Sequence, residues 1–225
     1  MVKVWHALVG ALATAGALGV GGWHVATGWA PSTERYALQG VDLDELAAVP
    51  EWPTVRAHGA DFAYLVATSG KDRRAPDFEA NWQALPEAGM RRGAVHLYSL
   101  CQPAEDQANA FNTVVPRTAD ALPPAVDLSF REDCAARPER AALIAGLRRF
   151  LTIVEAHTGK PALLRIAKPV ERQYTVTAAL ARPVWATGNF LTPAYPAHPW
   201  QMWRATDIRR VDGIEGPVNW DVVAP

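Results

Sequence analysis

The chain has 225 residues, of which 49% are hydrophobic and 20% are charged, a globular composition with enough chain for one sizeable core. Its 22 Lys and Arg balance 23 Asp and Glu, so the net charge is -1 and the basic excess needed to bind a nucleic-acid backbone is missing. Disordered, collagen-like and low-complexity chains are excluded by the same composition.

The first thirty residues differ from the rest of the chain. No Lys, Arg, Asp or Glu occurs between Lys3 and Ala30, and residues 7–20 consist mostly of Ala, Leu, Val and Gly. This pattern is typical of a membrane anchor, a cleaved export signal or a buried helix. We favour an uncleaved anchor over residues 4–30, because Pro31 disfavours cleavage after Ala30.

An anchor of this kind determines the domain organisation of the chain and the cellular location of its globular domain. Residues 1–35 form the anchor or signal with its linker, and residues 36–225 form one globular domain. Lys3 favours a cytoplasmic N-terminus, which places the domain outside the cytoplasm and tethers it to the inner membrane. A cleaved signal would instead give a secreted domain.

Strand and helix patterns follow one another along the domain. Short apolar runs predict strands covered on both faces, and stretches with helical spacing lie between them. In chain order the sequence predicts a strand over residues 36–42, a helix over 52–58, a strand over 62–68, a helix over 77–88, a strand over 94–98, a helix over 105–115, a strand over 124–128, a helix over 138–157, a strand over 162–166, a helix over 170–180, and strands over 183–186, 201–205 and 219–223.

Repeated strand-helix units predict a mainly parallel sheet with right-handed crossovers. About eight strands in fewer than 200 residues, with helices missing near the end, favour an α/β fold of the irregular TIM-like barrel type. Functional residues of such a barrel lie at the carboxyl ends of the strands. The residues at these ends are Asp42, Ser69, His96, Tyr98, Asp127, Ser129 and Arg165.

The two cysteines, Cys101 and Cys134, follow the third and fourth predicted strands, at the same rim of neighbouring barrel segments. In an oxidising compartment we expect them to form a disulfide; the alternative is a pair of free buried thiols. Two isolated thiols are too few for a metal site, so no metal or other cofactor is predicted.

The candidate cleft residues each have a structural alternative. Asp42 and Asp127 either enter a cleft or cap loops. His96 either lines the cleft or is a hydrogen-bonded core histidine. Four late tryptophans offer planes for stacking on sugar rings or belong to the core. They are Trp185, Trp200, Trp203 and Trp220.

The order and spacing of several short motifs make the sequence from Leu38 to Val223 similar to the glycoside hydrolase family 25 lysozymes. These enzymes are N-acetylmuramidases that cut the glycan strands of peptidoglycan. The motifs are Gly40-Val41-Asp42, Gly93-Ala94-Val95-His96, Pro124-Ala125-Val126-Asp127 and Gly213-Ile214-Glu215-Gly216-Pro217-Val218-Asn219. The resemblance implies peptidoglycan as the partner of a monomeric domain.

The sequence departs from the family where the cleft should lie. The Asp-x-Glu of the family is Asp127-Leu128-Ser129 here, so a hydroxyl stands where the resemblance implies the general acid. Arg165 replaces a strand tyrosine and Asn219 replaces an aspartate. The resemblance implies Asp42, Asp127 and Ser129 as the catalytic positions. It implies substrate contacts by Ser69, His96, Tyr98, Arg165, Trp185, Trp203 and Asn219.

Loss of the acid changes the expected chemistry. Glycoside hydrolysis needs a proton donor at the leaving oxygen and a carboxylate beside the developing cation, and loss of general acid catalysis costs roughly 10²- to 10⁴-fold. Glu45, Glu132 and Asp133 are poor substitutes because they lie on loops. The sequence disfavours a serine-hydrolase triad at Ser129, because no G-x-S-x-G turn surrounds it.

Two classes of function follow. The domain is either a weak or inactive muramidase that still acts on peptidoglycan, or a membrane-tethered protein that binds glycan or another protein without hydrolysis. Because Ser129 supplies no general acid, the expected mechanism favours the second class, binding without hydrolysis.

Overall fold

A computed structural model describes residues 19–43 and 49–225. Within these residues nine strands form one sheet, six helices cover it, and residues 19–28 are also helical. The strands are β1 (Gln39–Leu43), β2 (Phe62–Ser69), β3 (Arg73–Arg74), β4 (Arg91–Leu97), β5 (Ala125–Leu128), β6 (Leu163–Ile166), β7 (Val184–Thr187), β8 (Met202–Arg209) and β9 (Val218–Val223). The helices are α1 (Trp52–Ala57), α2 (Phe78–Glu87), α3 (Ala104–Val114), α4 (Arg140–Thr158), α5 (Lys168–Tyr174) and α6 (Val176–Ala179).

The sheet closes into an eight-stranded barrel, because β1 pairs with β2 at one side and with β9 at the other. Seven barrel strands are parallel, and β9 runs antiparallel to β8 and β1. A short loop is enough to join antiparallel neighbours, so β9 follows β8 without a crossover helix. The two-residue β3 extends β2 as a hairpin outside the barrel. The predicted α/β barrel of about eight strands is therefore confirmed.

Two hydrophobic layers hold the barrel together. The inner layer follows the two-residue period of the strands, so Phe62, Tyr64 and Val66 of β2 all point inward. A side chain at Gly93 would collide with the ring of Tyr64, which explains glycine at this point of β4. The outer layer lies between the sheet and the helices, where α4 buries Leu147 and five other apolar residues.

One predicted helix is two helices. The sequence predicts a single helix over residues 170–180, but Thr175 adopts a left-handed backbone conformation with φ 44° between α5 and α6. The buried carboxylate of Glu171 accepts hydrogen bonds from both the backbone N–H and the hydroxyl of Thr177, at 3.1 and 2.6 Å. This local cap stabilises the break, and the apolar spacing on either side gives no sign of it.

The N-terminal segment is only partly described. The predicted anchor over residues 4–30 lies outside the described residues up to residue 18. No helix within residues 19–43 and 49–225 is long and apolar enough to cross a bilayer. Residues expected to be anchor or linker pack on the barrel instead: the carbonyl of Thr27 accepts a bond from the Arg210 N–H at 2.8 Å, and the Pro31 carbonyl accepts one from Gln39 Nε2 at 2.9 Å.

The predicted disulfide is confirmed. Cys101 and Cys134 are bonded, with their Cα atoms 5.8 Å apart. The bridge joins the loops that follow β4 and β5 on the carboxyl side of the barrel.

Removing this bridge should lower the free energy of unfolding by about 3 to 4 kcal/mol, because a cross-link restricts the unfolded chain. The comparison is urea unfolding of the oxidised protein against the double variant Cys101→Ser and Cys134→Ser. Equal midpoints and equal slopes for the two proteins would contradict a stabilising role.

Candidate active site

Asp42 lies at the carboxyl end of β1 and is only 1% exposed. Its carboxylate accepts a bidentate pair of bonds from Arg204, with Nε 2.9 Å from Oδ2 and Nη2 2.7 Å from Oδ1. It also accepts bonds from Arg165 Nη1 at 2.8 Å and Asn219 Nδ2 at 3.0 Å. Burial alone would raise the pKa of Asp42, but the two guanidinium groups outweigh burial and hold the pKa below its ordinary value.

Arg165 connects the two conspicuous carboxylates. It points inward from β6, its side chain is 3% exposed, and its Nε donates to Asp127 Oδ1 at 2.7 Å while Nη1 binds Asp42. The guanidinium carbon lies 5.0 Å from the centre of the Trp185 ring. Arg165 therefore occupies the floor of the barrel mouth, and it neutralises both of its partners.

A third carboxyl group, Asp221 on β9, lies beside Asp42. Its Oδ1 accepts a bond from Trp185 Nε1 at 2.8 Å, while its buried Oδ2 meets no donor among the described residues. Burial, followed by the nearby charge of Asp42, raises the pKa of Asp221 well above its ordinary value. Asp221 therefore holds its proton more firmly than an ordinary aspartate does, while the carboxylates of Asp42 and Asp127 are paired with Arg165 and Arg204.

Replacing Asp221 by Asn should remove a pH-dependent loss of stability. The folded state keeps a proton that the unfolded chain releases above a pH of about 4, so the unfolding free energy falls by up to about 1.4 kcal/mol per pH unit until the raised pKa is reached. An asparagine amide keeps the acceptor for Trp185 and the donor toward Asp42 without titrating. The urea midpoint of the natural protein should fall from pH 5 through pH 7 to pH 9, and that of Asp221→Asn should fall less. Equal dependence of the two midpoints on pH would contradict the raised pKa of Asp221.

Ser129, the position at which the resemblance implies the general acid, lies directly after β5. Its hydroxyl donates to Asp127 Oδ2 at 2.7 Å, and Asp127 is 9% exposed. A cavity of about 370 Å³ lies beside Ser129 and is also lined by Glu132 and Asp133. Asp133 lies 3.6 Å from Arg73 and 3.7 Å from Arg131, so its charge is balanced by arginine.

A larger cavity, of about 630 Å³, lies beside Asp42 at the same end of the barrel. Its volume is within the range of ligand sites that hold small organic molecules. Two exposed carboxylates, Asp207 and Glu215, lie in its wall beside the apolar side chains of Ile208 and Ile214. These groups offer hydrogen-bond acceptors and an apolar surface, a combination suited to sugar rings.

The structure brings some predicted site residues to the barrel mouth. Asn219 binds Asp42 and lines the larger cavity. Ser69 lies at the end of β2, where its hydroxyl accepts a bond from Arg73 at 3.0 Å. Trp185 lies inside the barrel beneath Arg165 and is fully buried.

Other predicted contacts lie in the outer core. His96 is 0% exposed, with its ring nitrogens 2.8 Å from Thr68 Oγ1 and 3.2 Å from Gln107 Oε1. Burial lowers the pKa of His96 to about 4, so it is neutral. Tyr98 packs against Phe150, and burial raises its pKa to about 12.

Three of the four tryptophans also belong to the outer core. Trp203 and Trp200 pack around Tyr36, with ring centres 6.0 and 6.3 Å from it. Trp220 donates from Nε1 to Gln39 Oε1 at 2.6 Å.

Two important site residues were missed by the sequence reasoning. Arg204 follows the inward-facing Met202 by two residues on β8. Asp221 likewise follows the inward-facing Asn219 by two residues on β9. The two-residue period of a strand was the available signal. Among the described residues, no group of three or more His, Cys, Asp or Glu could hold a metal ion.

The structure is a closed barrel with carboxylates and two cavities at the carboxyl ends of its strands, the end at which barrel enzymes of this architecture carry their active sites. The chain belongs to glycosyl hydrolases family 25, whose sequence profile matches residues 41–214.

Several proteins and solved structures are similar to this chain. The uncharacterized protein YegX of Escherichia coli K12 is 28% identical over 193 residues, covering 83% of this chain and 70% of YegX. Lysozyme M1 of Streptomyces globisporus is 36% identical over 60 residues, 27% of this chain and 20% of that lysozyme. A family 25 glycosyl hydrolase from Bacillus anthracis superposes with a TM-score of 0.78 at 25% identity, covering 86% of this chain and 91% of that one. A bacterial lysozyme from Streptomyces coelicolor has the same fold, with a TM-score of 0.73 at 22% identity over 83% and 91% of the two chains.

Proposed function

We propose that this domain recognises the glycan strands of peptidoglycan at the barrel mouth and hydrolyses them very slowly or not at all. The observation that carries the proposal is the hydroxyl of Ser129, which donates a hydrogen bond to Asp127 at the position where the family resemblance implies the general acid. A serine hydroxyl is too weak an acid to protonate a leaving sugar oxygen near neutral pH, and Asp127 is already paired with Arg165.

The state of the remaining carboxylates supports the same conclusion. Stabilising a cationic transition state needs an uncompensated negative charge near the breaking bond. Asp42 is held by two arginines and Asp127 by one, so the negative charge of each is largely neutralised within the protein. Asp221 adds no charge when protonated. The mouth therefore retains hydrogen-bonding capacity while its catalytic charge is reduced.

Recognition rests on the larger cavity. Asp207 and Glu215 can accept bonds from sugar hydroxyls, while the neighbouring isoleucines cover the apolar face of a ring. The disulfide supports an extracytoplasmic location for this binding, because such bonds persist in oxidising compartments. Tethering to the inner membrane by the N-terminal segment remains part of the proposal.

Binding is tested by sedimenting the full chain, in mild detergent, with purified insoluble peptidoglycan. Replacing Asp207 and Glu215 together by Ala should weaken binding by about fivefold to tenfold, the loss expected for roughly 1 kcal/mol of hydrogen bonding. Glu79→Ala is the matched control, because Glu79 is an exposed carboxylate on α2, away from the cavity. Equal affinities for all three proteins, or no sedimentation of any of them, would contradict glycan recognition by this cavity.

A further inference from the structure

The helical residues 19–28 leave the barrel surface with apolar side chains on several sides. Thr27 is 5% exposed against the barrel, whereas Val20, Trp23 and Val25 are 61%, 54% and 73% exposed. Since successive residues of a helix are rotated by about 100°, these three side chains point in different directions. An uncharged helix that is apolar on several sides is suited to lipid rather than to water.

This helix leaves from the end of the barrel that carries the cleft. Its docked residue Thr27 binds the backbone of Arg210, which directly follows β8. Ile208, two residues earlier, lines the larger cavity. The C-terminal end of this helix therefore lies at the rim of the barrel mouth and not at the opposite end of the barrel.

A second apolar feature lies at the same end. Phe190 and Leu191 follow β7 and are 40% and 78% exposed, and the ring of Phe190 packs 5.1 Å from that of Trp29. The whole stretch of residues 183–203 contains no Asp, Glu, Lys or Arg. An uncharged loop with an exposed Phe-Leu pair thus stands beside the uncharged helix.

We propose that the mouth end of the barrel rests on a lipid bilayer, contacting it through Val20, Trp23, Val25, Phe190 and Leu191. The uncharged sequence that precedes residue 19, back to Val4, favours lipid over a protein partner as the occupant. Tryptophan at such a boundary has the interfacial preference of its amphipathic ring. The cleft then opens at the membrane surface.

This orientation also indicates which glycan the cleft meets. That indication rests on the proposed function, whereas the lipid contact does not. A cleft held at the membrane surface meets glycan that is itself joined to a lipid or lies beside the bilayer, before it meets glycan of the distant wall. The lipid contact itself involves no glycan, so its test is independent of peptidoglycan binding.

The test uses the oxidised full chain with an environment-sensitive fluorophore on one new cysteine, because Cys101 and Cys134 are not available for labelling. Leu191→Cys places the probe at the mouth, and Arg91→Cys places it at the amino end of β4, at the opposite end of the barrel. On vesicles of phosphatidylglycerol and phosphatidylethanolamine, we expect a blue shift and quenching by brominated lipid at position 191 and neither change at position 91.

Equal responses at the two positions, or a response only at position 91, would overturn the orientation. A blue shift at position 191 that appears in detergent without vesicles and grows with protein concentration would show contact with a second copy instead. Hydrogen exchange on the unmodified chain needs no labelled variant: vesicles should slow exchange over residues 188–193, and unchanged exchange there would also refute the contact.

Discussion

Ser129→Glu should raise the rate of peptidoglycan hydrolysis by about 10²- to 10⁴-fold, the range that general acid catalysis contributes. The serine hydroxyl already lies 2.7 Å from Asp127 Oδ2, so a glutamate at this position starts from a side chain directed into the mouth. The neighbouring charge of Asp127 would raise the pKa of the new carboxyl group, which favours a protonated acid. Reducing-end release from purified peptidoglycan is the measurement.

Ser129→Gln is the matched control for this gain. It has the size and hydrogen-bonding shape of glutamate but cannot donate a proton to the leaving oxygen. We expect Ser129→Gln to hydrolyse no faster than the natural protein. If Ser129→Glu and Ser129→Gln had the same rate, the missing acid would not be what limits hydrolysis.

Arg165→Met should lower the free energy of unfolding by about 3 to 5 kcal/mol at pH 7, the usual effect of removing one partner of a buried ion pair. Methionine fills much of the space of the arginine stem. The loss of stability therefore comes mainly from buried carboxylates that no longer have a positively charged partner. Asp42 would keep Arg204, but Asp127 would lose its bond to Nε while remaining 9% exposed. Urea unfolding measures the change.

Arg74→Met is the control for this loss. Arg74 pairs with Glu79 at 2.9 Å, but both side chains are more than half exposed, at 51% and 74%. Exposed pairs of this kind contribute about 0 to 1 kcal/mol. A loss for Arg165→Met as small as that for Arg74→Met would show that the buried arginine does not hold the mouth together.

The barrel was predictable because each strand is a short apolar run bounded by a turn or helix signal. The sequence indicates that Arg165 can face inward. It does not indicate that Arg165 contacts Asp42 and Asp127 together, because these two residues are 123 and 38 positions from Arg165 along the chain. The two-residue strand period places Arg204 and Asp221 inward, but their contacts are hidden for the same reason. Their contacts exist only because β1, β8 and β9 become neighbours when the barrel closes.

Local patterns also leave open the place of residues that long-range packing decides. The neighbours of His96 on β4, Val95 and Leu97, point into the barrel, so the ring of His96 faces the outer core, where it bonds to Thr68 and Gln107. A bulge in β2 between Val66 and Thr68 sets that contact, and no single sequence feature marks the bulge. The packing of residues 27–35 on the barrel is equally hidden in the sequence, because partners such as Phe190 lie far along the chain.

The most direct test of the account is the rate of reducing-end release from peptidoglycan by the natural protein, measured beside Asp127→Asn with analysis of the products. We predict release at or near the background of the assay for both proteins, because Ser129 supplies no acid and the remaining carboxylates are paired with arginine. Robust release by the natural protein that Asp127→Asn leaves unchanged would contradict both the assignment of the barrel mouth as the site and the loss of its chemistry.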